Sequence, residues 1–238
     1  MNRAPAVNVP PAVLWLAAAF VAIHVTRQFL SQGTDEWVLL TFAFLPVRYS
    51  AIGAQLPGGD WARLWTPLTY AFLHGDYVHL FVNIIWMASF GGPLARRFGS
   101  LRFLLLALVA AVAGAALHFM LHRTDIALVI GASGAVSGMM AATARFAFSP
   151  GGPLAGGGPT SFGVRADPLA AVIRNGRAVA FILVWFVINL VFGLAGSYLP
   201  GVSGPIAWEA HVGGFLAGLL CFPLLDPVGR HPDEKLAS

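Results

Sequence analysis

Gly131-Ala132-Ser133-Gly134-Ala135-Val136-Ser137-Gly138 opens a mostly apolar block that runs to Phe148, and it places a serine at the head of a segment fit to enter a bilayer. His211 stands near the head of a later block of the same kind. Polar and ionisable groups at membrane depth are costly unless something compensates them, so their presence there is by default a functional-site hypothesis. The chemistry suggested by this pair is that of a nucleophile and a base inside the membrane.

Composition agrees. The chain has 238 residues, of which 58% are hydrophobic and 10% charged, with a mean hydropathy of +0.76; a soluble domain averages roughly 25% charged residues. The net charge of +4 and pI near 9.8 come from basic residues scattered between apolar blocks. No run or stripe suits nucleic acid. A single cysteine, Cys221, allows no intrachain disulfide and no cysteine metal motif.

Six blocks, near 12–30, 77–95, 101–121, 133–148, 178–199 and 206–225, read as spans of an all-α polytopic membrane protein. The fourth is short, so residues around Gly131 are expected to supply part of its depth as non-helical backbone, which protein or a wet cavity must surround. Placing the N-terminus inside puts ten basic residues in the cytoplasm (Arg3, Arg96, Arg97, Arg102, Arg145, Arg165, Arg174, Arg177, Arg230 and Lys235) against four outside (Arg27, Arg48, Arg63 and Arg123). That bias predicts both termini cytoplasmic. Ser133 and His211 then share the outer leaflet.

Residues 31–76, rich in Trp, Phe and Tyr and carrying Pro46 and Pro57, are expected to form a long outer loop in the interfacial belt. The stretches Pro150-Gly151-Gly152-Pro153 and Gly156-Gly157-Gly158-Pro159 read as part of a flexible cytoplasmic linker over 149–167, and 226–238 as a short tail. No internal repeat appears, and one domain is expected over 1–238. The first block lacks a convincing cleavage site, and no Arg/Ser-rich leader precedes it, which favours a bacterial inner membrane.

Within the second block His79 and Asn83 are four apart and share a helical face, with His74 a turn earlier. They suit either interhelical hydrogen bonding or a site. His74 and His79, five apart with no carboxylate, are a poor zinc set, so no metal is assigned. Gly131 and Gly134 allow a sharp turn beside Ser133, and a helix N-terminus offers N–H donors to an oxyanion. The plainer alternative makes Ser133 an N-cap. Gly134 with Gly138, and Gly214 with Gly218, form small-xxx-small ridges that let the fourth and sixth spans approach closely. His211 lies on the face of its ridge, where close packing carries it towards Ser133; a bond to neighbouring backbone is the alternative.

The ordered set His74-x4-His79-x3-Asn83, Gly131-x-Ser133-Gly134 and Ala210-His211-x2-Gly214-x3-Gly218, on the second, fourth and sixth spans, resembles the rhomboid family of intramembrane serine proteases over about residues 60–225. Trp61 and Arg63 resemble the family's Trp-Arg loop signature with Ala62 inserted. The resemblance implies a six-helix rhomboid-like bundle with Ser133 as nucleophile and His211 as base and later acid. His79, Asn83 and the Ser133 N–H would form the oxyanion site, with His74 bracing the loop. Glu209, two residues from His211, faces another way and is not recruited. The family's aromatic four residues after the nucleophile is Ser137 here, so His211 must be oriented by a hydrogen bond or by another helix. The family's lateral gate corresponds to Val82 and Trp86 facing Phe181 and Trp185.

The implied substrates are transmembrane protein helices that unwind near the outer interface, with water as co-substrate, the lipid bilayer as surroundings and no cofactor. The alternative is a rhomboid-like pseudoprotease that binds client helices without cutting them. A small transporter would want an internal repeat.

Overall fold

A computed structural model describes residues 9–158, 160–195 and 206–228. Arg3, Arg230, Lys235, the end of the fifth block (196–199) and most of the expected tail lie outside these residues. The described chain is helical throughout, with one isolated antiparallel bridge between Phe44 and Val129.

Helix α1 (Pro11–Arg27) starts with proline in its first turn, where no N–H is needed. The expected outer loop folds into short elements: α2 (Gln32–Phe42), three 3₁₀ turns, α3 (Ala62–Thr69) and a further 3₁₀ turn. The second span is α4 (Tyr77–Trp86), a π-turn (Met87–Gly91) and α5 (Gly92–Phe98) in one rod. Then follow α6 (Ser100–Leu121), α7 (Ser133–Ala147), the single turn α8 (Leu169–Val172), α9 (Gly176–Ala195) and α10 (Trp208–Leu225).

Four of these rods, Tyr77–Phe98, Ser100–Leu121, Gly176–Leu194 and Trp208–Leu225, are long and apolar enough to cross a membrane. The other two expected spans are shorter, α1 with 17 residues and α7 with 15. For α7 the reason is position: every residue from Gly134 to Ala147 is buried, so α7 is the axis of the bundle and meets protein on all sides. The outward faces of the long rods are apolar instead, with Val78, Phe81, Leu104, Val184 and Leu220 exposed. An apolar surface of that extent suits lipid.

The core is the contact of α6, α7 and α10. A Cβ at Gly214 would overlap the carbonyl of Gly134, and one at Gly218 that of Gly138, so the two glycine ridges bring backbones into direct contact, as expected. Facing Gly134 and Gly114, the buried Tyr70 donates its hydroxyl to the Ala111 carbonyl at 2.9 Å.

Arginines fasten each end. On the side of Ser133, Arg48 donates to the carbonyls of Pro57 (3.0 Å) and Leu40, while Arg63 donates to those of Arg48 (2.9 Å) and Ser50 (3.1 Å). At the opposite end Arg97 makes a two-pronged pair with Asp226, both contacts 2.8 Å, and donates to the carbonyls of Phe162 and Val164. The segment expected as a flexible linker is thus fastened to the bundle, and Arg145 adds a bond to the Asp167 carbonyl.

Candidate active site

The approach to Ser133 is built by three backbone constraints. Phe44 and Val129 exchange N–H···O bonds (3.1 and 2.9 Å), Gly131 N–H donates to the Tyr70 carbonyl (3.0 Å), and Gly131 takes φ +118°, a region that favours glycine. The chain turns there and α7 begins, with Ala132 as N-cap and Ser133 as the first helical residue. Ser133 is therefore not the capping side chain, and its N–H belongs to the first-turn donors that have no partner inside the helix.

A Cβ at Gly131 would lie 2.6 Å from His79 Nε2 and 3.8 Å from Ser133 Oγ, so the glycine leaves room for these two side chains on one side of the turn. His79 is held by its own helix start. Asp76 caps α4 by accepting the His79 N–H at 2.7 Å, and the Gly75 N–H points at His79 Nδ1 at 3.4 Å. With Nδ1 accepting, the ring proton sits on Nε2, the atom that faces Gly131 and Ser133. Asn83, buried one turn on, donates Nδ2–H to the His79 carbonyl (2.9 Å) and keeps a second N–H. Among the described residues these bonds run within α4 and its lead-in.

His74 is fully buried below them, its ring against Phe20 and His79 with centroids 5.2 Å from each, and its carbonyl accepts from Arg27 (2.9 Å). Burial holds its pKa down to about 3, so it stays neutral.

His211 comes from α10. The Ala210 carbonyl lies 3.2 Å from the Cβ position of Gly134, which puts Ser133 and His211 on the adjacent first turns of two helices in backbone contact. Ser133, His79 and His211 are each half-buried. No hydrogen bond joins Ser133 to His211 among the described residues; such contacts tighten in the substrate complex. Ser137 is buried on α7, and the imidazole is held from elsewhere: His211 Nδ1 lies 2.5 Å from Asn189 Oδ1 on α9. Asn189 Nδ2 donates back to the Trp185 carbonyl at 2.8 Å, which commits the amide oxygen to the histidine. Nδ1 is then the donor and Nε2 carries the lone pair. Sequence reading overlooked Asn189. Its signal was an amide in the middle of the otherwise apolar run 178–192, a costly placement unless it has a partner.

Of the expected gate, Val82 and Trp86 are exposed on α4, and Phe181 reaches that rod through Phe90, which stacks on Trp86. Trp185 instead stacks on Phe215 of α10, with centroids 4.2 Å apart, because it lies one turn before Asn189 on the face turned to α10. Glu209 points to His118 and His122 of α6 and away from His211, as its spacing implies.

The family described as Rhomboid domain matches residues 61–226. The chain is 30% identical over 162 residues to RHOMBOID-like protein 4 of Arabidopsis thaliana, covering 68% of this chain and 34% of that protein. It is 29% identical over 203 residues to Rhomboid protease GluP of Bacillus subtilis (strain 168), covering 84% and 32%. It is 26% identical over 210 residues to Rhomboid protease GlpG of Serratia proteamaculans (strain 568), covering 88% and 61%. The matched part thus spans from about a third to three-fifths of these relatives.

Proposed function

The chain belongs to the rhomboid family, and on that premise we propose that it is an intramembrane serine endopeptidase whose reacting groups are Ser133 and His211. The observation that carries this reading is the interlock of Gly134 with Gly214 and Ala210, which sets the serine and the histidine on adjoining first turns.

In this mechanism Nε2 of His211 takes the Ser133 hydroxyl proton as Oγ attacks the carbonyl of the scissile bond. The imidazolium keeps its Nδ1–H on Asn189, and Nε2 returns its proton to the leaving amine. Water then attacks the acyl-enzyme with the same base. The oxyanion takes hydrogen bonds from His79 Nε2–H and the Ser133 N–H, with the N-terminal dipole of α7 behind them; the remaining Asn83 N–H belongs to the same group. Asn189 is a positioning residue that acts through His211.

The substrate class is a transmembrane protein segment, entering from the lipid. Helix α9 is the least buried of the four long rods, and it is therefore the wall most readily moved aside. Val82, Trp86 and Phe181 border that passage. With both termini cytoplasmic, cleavage falls in the outer leaflet, and the setting is a bacterial inner membrane.

Cleavage of a transmembrane reporter in liposomes by wild type, Ser133→Ala and His211→Ala tests the proposal. Cutting by wild type alone, with both variants folded, is the expected result. Folded wild type that neither cuts nor reacts with a fluorophosphonate overturns it in favour of a protein that binds helices without cleaving them.

A further inference from the structure

We propose that His118, His122 and Glu209 form a binding site for a divalent transition-metal ion of the zinc type, at the outer end of α6 where α10 begins. Glu209 is 91 and 87 positions away from the two histidines in sequence, yet the donor atoms of all three lie within 4.8 Å of one another. Glu209 Oε1 is 2.8 Å from His122 Nε2, and Oε2 is 3.4 Å from His118 Nδ1. Metal–ligand bonds of 2.0–2.2 Å in a tetrahedral shell place neighbouring donors about 3.3 Å apart, within the range these separations span. Two imidazoles and a carboxylate suit Zn²⁺ and its neighbours, with water as the fourth ligand.

The hydrogen bonds among the three leave the group incompletely satisfied. His118 is buried at 5% exposure, and among the described residues the polar contact of its Nδ1 is the long 3.4 Å approach to Glu209. Glu209 is itself buried at 7% exposure. Two imidazole nitrogens and a buried carboxylate converge here, and a divalent ion held between them would bring a positive charge to the carboxylate. His118, in the last turn of α6, and His122, its C-cap residue, have rings stacked 4.8 Å centre to centre, and Glu209 sits in the first turn of α10. His122 is half-exposed, which leaves a path for the ion from outside. Coordination would clamp α6 to α10 two residues before His211, beside the close contact of Gly114 with the Ala210 carbonyl.

Tag-free protein stripped with chelator and titrated with Zn²⁺ alone is expected to take up one ion per chain and to rise in Tm. Because outer-shell changes at such sites already cost 10–100-fold, removing a ligand in His122→Ala or Glu209→Gln should weaken binding by about 100-fold or more. His211→Ala should bind as wild type does. Protein loaded with Co²⁺ should show the intense visible bands of a four- or five-coordinate ion, a readout that needs no variant. Absence of saturable uptake, uptake retained in both ligand variants, uptake lost in His211→Ala, or the weak bands of six-coordinate Co²⁺ would each overturn the assignment. The three side chains would then be a hydrogen-bonded tie between helices and nothing more.

Discussion

The Nδ1 of His211 and the Oδ1 of Asn189 lie 2.5 Å apart, and this bond joins α10 to α9. It supplies from a neighbouring helix what an aromatic at position 137 would otherwise supply from α7. Because Asn189 also donates to the Trp185 carbonyl, the amide cannot turn over without losing a bond. The tautomer of His211 is thereby selected by α9.

Asn189→Ala is expected to lower kcat about tenfold, the worth of one neutral hydrogen bond of about 1.4 kcal/mol, with KM little changed. Steady-state cleavage in liposomes separates the two parameters. An equal rise in KM with kcat unchanged would mark Asn189 as a substrate-side residue and remove its positioning role.

Gly131→Ala should leave a folded protein with cleavage reduced by about 100-fold, the scale of one displaced oxyanion donor at about 3 kcal/mol. The added methyl would sit 2.6 Å from His79 Nε2 on a backbone at φ +118°, so His79 must leave its place near Ser133. His79→Ala should match it in rate, and the double variant should be little worse than either single one. Additive losses would separate the two effects.

Gly218→Ala should destabilise the protein by roughly 1–3 kcal/mol, since its methyl would overlap the Gly138 carbonyl and force α7 and α10 apart. Gly33→Ala, at a helical glycine with open space around it, should be neutral or slightly stabilising. Thermal unfolding in detergent compares them. Equal Tm values would mean that the ridges are not in contact.

Stability should fall on acidification in a way traceable to His74. Its pKa is about 3 in the folded protein against 6.5 when free, so below pH 6.5 the unfolded chain binds a proton that the folded chain refuses. The contribution is full above pH 6.5 and is lost as pH falls towards 3, at about 1.4 kcal/mol per pH unit for this one group. His74→Phe, which keeps a ring against Phe20, should flatten the dependence by that amount in unfolding measured from pH 7 to 5. An unchanged slope would place the titration elsewhere.

What the sequence by itself determined about this protein is whatever depends on short-range spacing. Apolar runs of span length are contiguous stretches of one segment, and the pairing of His79 with Asn83 on one face and the glycine ridges at 134/138 and 214/218 are set by residues about one helical turn apart. Glu209 could also be separated from His211, because two residues on a helix point apart. Tertiary structure alone decided which helix holds the imidazole, since Asn189 is 22 residues from His211 and nothing in its own helix announces the partner. It decided equally that Trp185 stacks on Phe215, that Arg97 closes on Asp226 across 129 residues, and that Glu209 meets His118 and His122. Each of these is a contact between side chains on different rods, fixed by the rotation and crossing of packed helices, and periodicity along one helix carries no information about the rotation of its neighbour.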